Sequence, residues 1–273
     1  MARSLYQDED ERELIGDAFH GIQTKLSNGY QSRFLMKARL HFDMQKVEVL
    51  ENLPTLAEDK TLKRAPGSLF DKEANLKRLV AFFAPIYTDH VREAGQEAML
   101  LIGLAGFDYE DPYVTDFITN RNGKVSRGIE DETDKQLRTE LAAGLAEGES
   151  IAELTARVER VYGAAAGFRA DRIARTETIR ANNFASQAAW KQSDLVEAKE
   201  WFTAKDERVC PYCGPMDGKV VELTGRYFNK GDEFQPDEAD TPLKLNYEHI
   251  EGPPLHSNCR CTLLPVLKDV NEL

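Results

Sequence analysis

The chain has 273 residues, which suits one large domain or two modest ones whose core needs neither disulfides nor metal for its overall stability. Its 35 basic and 47 acidic residues give a net charge of −12. Such acidity argues against a protein that binds nucleic acid over its whole surface, although it allows a local basic face. The N-terminus has no apolar signal core, and no stretch approaches the ~20 apolar residues of a spanning helix, so we expect neither a secreted nor a membrane protein.

The first part of the chain, up to about residue 105, is predicted to be helical. Apolar residues between positions 79 and 91 recur at spacings of three, four and seven, as one buried helix face would. Pro85 is expected to kink that helix or to mark its first turn, and Gly103 is expected to end it. Positions 34–42 indicate another helix or a strand, whereas 50–69 is predicted to be loop.

The middle of the chain continues in helices. A linker at 107–112 is predicted to lead into a short helix at 113–118, with a turn at 122–123. A leucine repeat from position 137 to 145 indicates a helix that ends at Gly148.

The next helix begins with a capping-box pattern, in which Ser150 is followed by Glu153 three residues later. Gly163 and Gly167 are expected to separate it from a longer helix at about 168–192.

After Ser193 the periodicity becomes that of strands, predicted at 199–203, 219–223 and 261–266, with a long acidic loop at 224–254. The predicted fold class is therefore α+β and predominantly helical. We divide the chain into a helical N-terminal domain, connecting helices and a small α+β C-terminal module, at 1–120, 121–167 and 168–273.

The four cysteines lie close together beside a histidine, in the last quarter of the chain. Cys210 and Cys213 form a Cys-x-x-Cys turn, and His256, Cys259 and Cys261 follow downstream. A Cys-x-x-Cys turn directs two thiolates at one centre, and a second short segment supplies the other ligands of a tetrahedral zinc. His256 with Cys259 is the preferred second pair, because Cys259 and Cys261 would face opposite sides of a strand.

Cys261 is then either a buried spare or the replacement for His256. With all four ligands from protein the zinc would be structural, holding the ends of the 224–254 loop against the sheet. Two alternatives remain open, namely free or redox-active thiols and a late disulfide.

A second feature is a row of arginines on the predicted helix at 168–192. Arg169, Arg172 and Arg175 lie three residues apart and would form a ridge that contacts DNA phosphates or an acidic partner. The competing interpretation, which we favour, is an internal network in which these arginines are neutralised by nearby carboxylates, those of Asp171, Glu177, Asp206 and Glu207.

The order of motifs between Gln136 and Cys261 resembles the Mu F-like phage head morphogenesis family of minor capsid proteins. The pieces that carry the resemblance are Leu137-Arg138 through Gly144-Leu145, Gly148 to Ile151, Ile173 to Thr178, Trp201, Asp206 to Cys213, Asp217 to Val220 and Pro253 to Cys261. Pro215-Met216 departs from the family, which usually has a leucine just before the aspartate. The first ~120 residues carry no motif that we can place.

The resemblance implies a minor head component of a tailed phage, assembled in the host bacterial cytoplasm and carried in the virion. Such proteins associate with the portal vertex and with capsid or scaffold components, enter the head during assembly, and in some phages accompany DNA packaging or ejection. The family has no general activity to transfer, so no catalytic residue is expected. Some relatives lack part of the cysteine set, so the zinc prediction depends on the spacing in this sequence.

The alternative function is a zinc-containing nuclease of the HNH type, because Glu248-His249 lies between the two cysteine segments. That chemistry needs a general-base histidine beside a hydrolytic metal, and glutamate precedes His249 where aspartate or histidine is expected. An ADP-ribosylating effector is disfavoured, since the N-terminal region has no glycine-rich loop or nucleophile elbow and the chain leaves little room after Cys261. We therefore expect a structural protein and not an enzyme.

Overall fold

A computed structural model describes residues 3–4, 6, 8–58, 69–203 and 209–268. The helices are α1 (Glu9–Glu58), α2 (Lys72–Leu101), α3 (Pro112–Glu147), α4 (Ile151–Ala164) and α5 (Ala170–Ser193), and the strands are β1 (Arg3–Ser4), β2 (Val196–Phe202), β3 (Val220–Glu222), β4 (Glu233–Phe234), β5 (Leu243–Lys244) and β6 (Thr262–Leu267). The predicted α+β class, predominantly helical, is confirmed. Within the described residues, no helix is both long and apolar enough to span a bilayer.

Two compact units make up the chain, and each is assembled from separate segments. The sheet unit comprises Met1–Tyr30, Thr88–Thr115 and Arg175–Leu273, and the helical unit comprises Gln31–Tyr87 and Asp116–Ala174. The division at 120 and 167 that the sequence suggests stays a prediction.

The sheet unit is built on an antiparallel sheet with the strand order β1-β6-β2-β3. The two central strands pair through Trp201 with Leu263 and Glu200 with Leu264. These side chains are buried, because the central strands are covered on both faces. The strands predicted at 199–203, 219–223 and 261–266 are confirmed to within a few residues, and the predicted 224–254 loop contains the short β4–β5 pair.

The helical unit has an aromatic core that confirms the predicted apolar face at 79–91. Phe34 of α1 meets Phe83 and Tyr87 of α2 edge-on, with ring centroids 5.2 and 4.9 Å apart. This is the favoured geometry for aromatic pairs, since the positive edge of one ring faces the negative face of the other. Residues 34–42 are therefore helix and not strand.

Two local predictions in the helices are wrong. Residues 50–58 continue α1 instead of forming a loop, while 59–68 lie outside the described residues. The predicted turn at 122–123 lies inside α3, where the Asn122 side chain donates to the Val80 carbonyl oxygen at 2.8 Å. A partner distant in sequence thus replaces the local bond that makes asparagine a turn residue. Pro85 lies in the interior of α2, so its first-turn alternative is excluded and the kink stays a prediction.

The predicted helix ends are confirmed. Gly103 has φ of +79°, and two hydrogen bonds across it close a Schellman motif: Leu104 N–H donates to the Met99 carbonyl and Gly103 N–H to the Leu100 carbonyl. Ser150 caps α4 with both bonds of the predicted capping box. The predicted separation after α4 is confined to a π-helical turn, Ala165–Arg169, in which Gly167 alone has non-helical backbone.

A lysine lies in the core of the sheet unit. Lys199 on β2 is 1% exposed, and its ammonium donates to the Gln187 side-chain oxygen at 2.6 Å. Burial lowers its pKa to about 8, because the charged form loses its hydration and its hydrogen-bond partner is a neutral amide.

The contribution of Lys199 to stability should therefore increase between pH 8 and pH 10. The unfolded lysine titrates near 10.4, so in this window the unfolded chain binds the extra proton and rising pH favours the folded state. The gain for Lys199 amounts to about 3 kcal/mol at most. Urea unfolding at pH 7.5 and pH 10 measures this gain. Lys199→Met should remove its part of the increase in the free energy of unfolding with pH. An equal slope in both proteins would contradict the assignment.

Candidate metal centre

The first half of the centre is a tight turn after β2. The Gly214 and Cys213 amides both donate to the Cys210 carbonyl, and the Cys213 amide also approaches Cys210 Sγ at 3.3 Å. A short 3-10 helix, Gly214–Met216, continues the turn. The local fold thus directs Cys210 Sγ and Cys213 Sγ to the same side, as the Cys-x-x-Cys spacing predicts.

The second half is the segment that leads into β6. The Cys259 amide donates to the His256 carbonyl at 3.2 Å, and Asn258 between them has φ of +65°. This turn brings the His256 ring and the Cys259 sulfur to the same side. Cys261 follows just before β6 begins at Thr262.

The tautomer of His256 is set by a backbone contact. Its Nδ1 lies 2.7 Å from the Ser257 carbonyl oxygen, which can only accept a hydrogen bond. Nδ1 therefore carries the proton and Nε2 presents its lone pair. Nε2 lies 2.9 Å from Cys210 Sγ and 3.2 Å from Cys213 Sγ, so its lone pair is directed at the sulfurs. Metal-binding histidines commonly have the other ring nitrogen fixed in this way.

All five predicted donors meet around one sulfur. They form two groups of potential metal ligands, Cys210 with Cys213 and His256, and Cys213 with Cys259 and Cys261, with the ligand atoms of each group within 4.8 Å of one another. Cys213 belongs to both groups and is buried. Its sulfur lies 3.7 Å from Cys259 Sγ. Two sulfurs at 2.3 Å from a tetrahedral zinc would be about 3.8 Å apart, so this pair fits that metal.

Cys261 is not directed away from the centre. The argument for opposite faces requires extended backbone at Cys259 and Cys261, but both lie ahead of β6 and both sulfurs reach Cys213. The Thr203 hydroxyl also lies 3.4 Å from Cys261 Sγ. The geometry thus leaves His256 and Cys261 both in reach of the fourth ligand position.

The clustered thiols cannot all ionise without a cation. The pKa of Cys213 is raised, because its thiol bonds to Cys259 and Cys261 and is buried. The pKa of Cys261 is lowered well below its usual value, because its sulfur accepts from the other two thiols. Three thiolates held this close together would need a metal ion to offset their repulsion.

An apolar cluster and the 224–254 loop surround the centre. The cysteines pack with Trp201, Met216, Leu245, Ile250 and Leu255, all of them buried. Two tyrosines fasten the loop to it: the Tyr212 hydroxyl donates to the Thr241 carbonyl at 2.7 Å, and the Tyr247 hydroxyl donates to the Leu255 carbonyl. These hydrogen bonds hold the loop beside the centre, while the role predicted for a zinc ion there stays a prediction.

The residues of the nuclease alternative are engaged elsewhere. His249 Nδ1 accepts a hydrogen bond from the Lys230 amide at 3.0 Å, and Glu248 forms an ion pair with Arg180 at 2.6 Å. Neither residue belongs to the Cys/His groups found among the described residues.

The three arginines of the predicted ridge have different environments. Arg169 is buried, with its guanidinium over the Phe42 ring and donating to the Thr133 hydroxyl and the Ile129 carbonyl. Arg172 is exposed and lies over the Phe168 ring, and Arg175 is half-buried. Arg169 is thus internal, although its partners are neutral groups of α3 and not the predicted carboxylates. Asp206 and Glu207 lie outside the described residues.

These features define a class of protein: a mainly helical chain with a small antiparallel sheet whose covering loop is held by a buried Cys/His cluster. The family model described as Phage Mu protein F like protein matches residues 135–264, a segment that contains all five Cys/His donors. Residues 135–264 are therefore similar to the Mu F-like family, as the motifs predicted, and this similarity connects the segment to phage head morphogenesis. No curated protein and no solved structure matches the chain.

Proposed function

We propose that this chain is a minor capsid protein that docks at the portal vertex of a tailed phage, enters the head during assembly and remains in the virion. The observation that carries the proposal is the Mu F-like match over residues 135–264. The proposed partners are the portal protein and other capsid or scaffold components. The role is structural, and the proposal includes no catalysis.

The second part of the proposal is a structural zinc ion in the sheet unit. Cys210, Cys213, Cys259 and either His256 or Cys261 would supply four protein ligands, so the metal would have no open position for substrate. The ion would neutralise the clustered thiolates and fix the loop that covers them.

Any contact with packaged DNA would use Arg172 and Arg175. Arg169 is excluded from such a contact because its guanidinium is bonded inside the helical unit. Two cations cannot supply strong binding, so this contact would be non-specific and weakened by salt.

Head assembly tests the first part directly. The chain is co-expressed with the portal, scaffold and major capsid proteins of the phage that encodes it, and heads are isolated by sedimentation. We expect a fixed number of copies per head by quantitative mass spectrometry, and none in heads assembled without portal. If the chain stays free while portal-containing heads form, the proposal is wrong.

Two further assays address the metal and the nuclease alternative. Elemental analysis of protein purified without chelator should give about one zinc per chain. A content below about a third of a zinc per chain would contradict the zinc proposal. Incubation with plasmid and Mg²⁺ or Mn²⁺ should leave the DNA intact. Cleavage that His249→Ala abolishes would favour the nuclease instead.

A further inference from the structure

The Cys/His centre has an exposed edge and a buried interior. Cys213, Cys259 and Cys261 are 3%, 2% and 3% exposed, whereas Cys210 is half-buried. A cavity of about 210 Å³, partly open to solvent, adjoins the four cysteines. One water takes up about 30 Å³, so this cavity admits a molecule as small as hydrogen peroxide. Cys210 is therefore the cysteine that an oxidant from solvent meets first.

The two ligand groups indicate which cysteine would react with an oxidised Cys210. Cys213 is in the same group as Cys210, with the two sulfurs within 4.8 Å of each other, whereas Cys259 and Cys261 are in the other group. The Cys213 amide also lies 3.3 Å from Cys210 Sγ, so the turn holds the two residues together. An accessible cysteine beside a second cysteine is the usual arrangement of a thiol that is oxidised reversibly.

We propose, on the basis of the zinc ion proposed above, that peroxide joins Cys210 and Cys213 in a disulfide and thereby releases the metal. The Cys210 sulfur attacks one peroxide oxygen, the O–O bond breaks, and a sulfenic acid forms as hydroxide leaves. The Cys213 sulfur then attacks the sulfenic sulfur, so the S–S bond forms and a second hydroxide leaves. The two thiolates lose two electrons, and one peroxide molecule gains them.

Loss of Cys213 weakens both ligand groups, because its sulfur belongs to each of them. The first group keeps His256, and the second keeps Cys259 and Cys261. Three donors remain, one fewer than a closed structural zinc site has, so we expect the ion to leave. A thiol reductant would reverse the disulfide and restore the site. The centre would thus be a reversible redox switch.

Cys213 with Cys259 is the competing disulfide. Their sulfurs are 3.7 Å apart, but both residues are buried, so neither meets the oxidant first. Cys261 is equally buried, and the Thr203 hydroxyl lies 3.4 Å from its sulfur. We therefore expect Cys259 and Cys261 to remain thiols while the Cys-x-x-Cys pair is oxidised.

Limited alkylation of the full chain tests the exposed edge. We expect a substoichiometric amount of iodoacetamide to label Cys210 at least tenfold faster than the other three cysteines, as measured by peptide mass spectrometry. Labelling in urea is the control, since all four cysteines should then react at similar rates. Equal labelling in the folded chain would contradict the assignment of Cys210 as the first residue to react.

Stepwise addition of hydrogen peroxide to the full chain tests the switch. We expect the Cys210–Cys213 disulfide to form first, with about one zinc released per disulfide and rebound after reduction. Cys261→Ser is the matched control and should form the same disulfide, because it removes only a buried thiol.

Zinc content is measured before peroxide is added, so the two proposals can fail separately. A chain purified without zinc would disprove the zinc ion and its release, whereas disulfide mapping would still test the pair. Cys213–Cys259 as the first disulfide, the absence of any disulfide, or zinc retained after the pair has formed would overturn the inference.

Discussion

Replacing Cys213 with serine is expected to release the metal and to unfold the loop that covers the centre. Cys213 is the one donor that belongs to both ligand groups, and it is 3% exposed. Loss of a structural zinc is loss of folding free energy, so we expect the sheet unit to lose on the order of 4 kcal/mol or more. Zinc content, together with urea unfolding of the full chain, measures both effects.

The control is Cys261→Ser, which also removes a buried thiol from the cluster. If Cys261 is the spare, this variant keeps about one zinc per chain and His256→Ala loses it; if Cys261 is the fourth ligand, the two results exchange. Chelator should lower the unfolding midpoint of the wild type and leave that of Cys213→Ser unchanged. Full zinc content in Cys213→Ser would show that the metal prediction is wrong.

The centre could be predicted from sequence because its donors lie in two short segments. The spacing of Cys210 and Cys213, and that of His256 and Cys259, each favour one local turn, and both turns are present. The position of Cys261 could not be predicted in the same way. Its direction depends on where β6 begins, and a strand boundary is uncertain by a few residues when it is read from sequence.

The helices show the same difference between local and distant causes. The ends at Gly103 and Ser150 depend on residues within one turn, and both predictions are confirmed. The turn predicted at Asn122 is wrong because the deciding contact, with the Val80 carbonyl, comes from a residue 42 positions away. Arg169 is buried for a similar reason. Its hydrogen-bond partners on α3 are distant in sequence, and the spacing of the arginines does not indicate them.

One buried ion pair carries no sequence signal at all. Arg12 at the start of α1 donates to Glu200 of β2, which lies 188 positions away, and both side chains are almost completely buried. Arg12 also bonds to Asp217 at 3.2 Å, and Asp217 in turn accepts from the Thr203 amide at 2.8 Å. The pair thus links α1, β2 and the segment after the Cys-x-x-Cys turn.

Arg12→Met is therefore expected to destabilise the chain by about 3–5 kcal/mol, as the breaking of a buried pair does when it leaves one charge without its partner. The cost arises mainly from the Glu200 carboxylate, which is 1% exposed and, among the described residues, would keep the Tyr6 hydroxyl as its hydrogen-bond donor. Urea unfolding at pH 7 measures the loss. Arg12→Met with Glu200→Gln should recover part of it, because the uncompensated charge is then removed.

Lys72→Met supplies the matched control for Arg12→Met, since it breaks an ion pair of comparable length at the surface. Lys72 Nζ lies 2.6 Å from Asp131, but the two side chains are 49% and 67% exposed. Exposed pairs contribute about 0–1 kcal/mol, because water solvates each charge nearly as well as its partner does. A cost for Arg12→Met as small as that for Lys72→Met would mean that water reaches Glu200 in solution. In that event the pair would not hold α1 against β2.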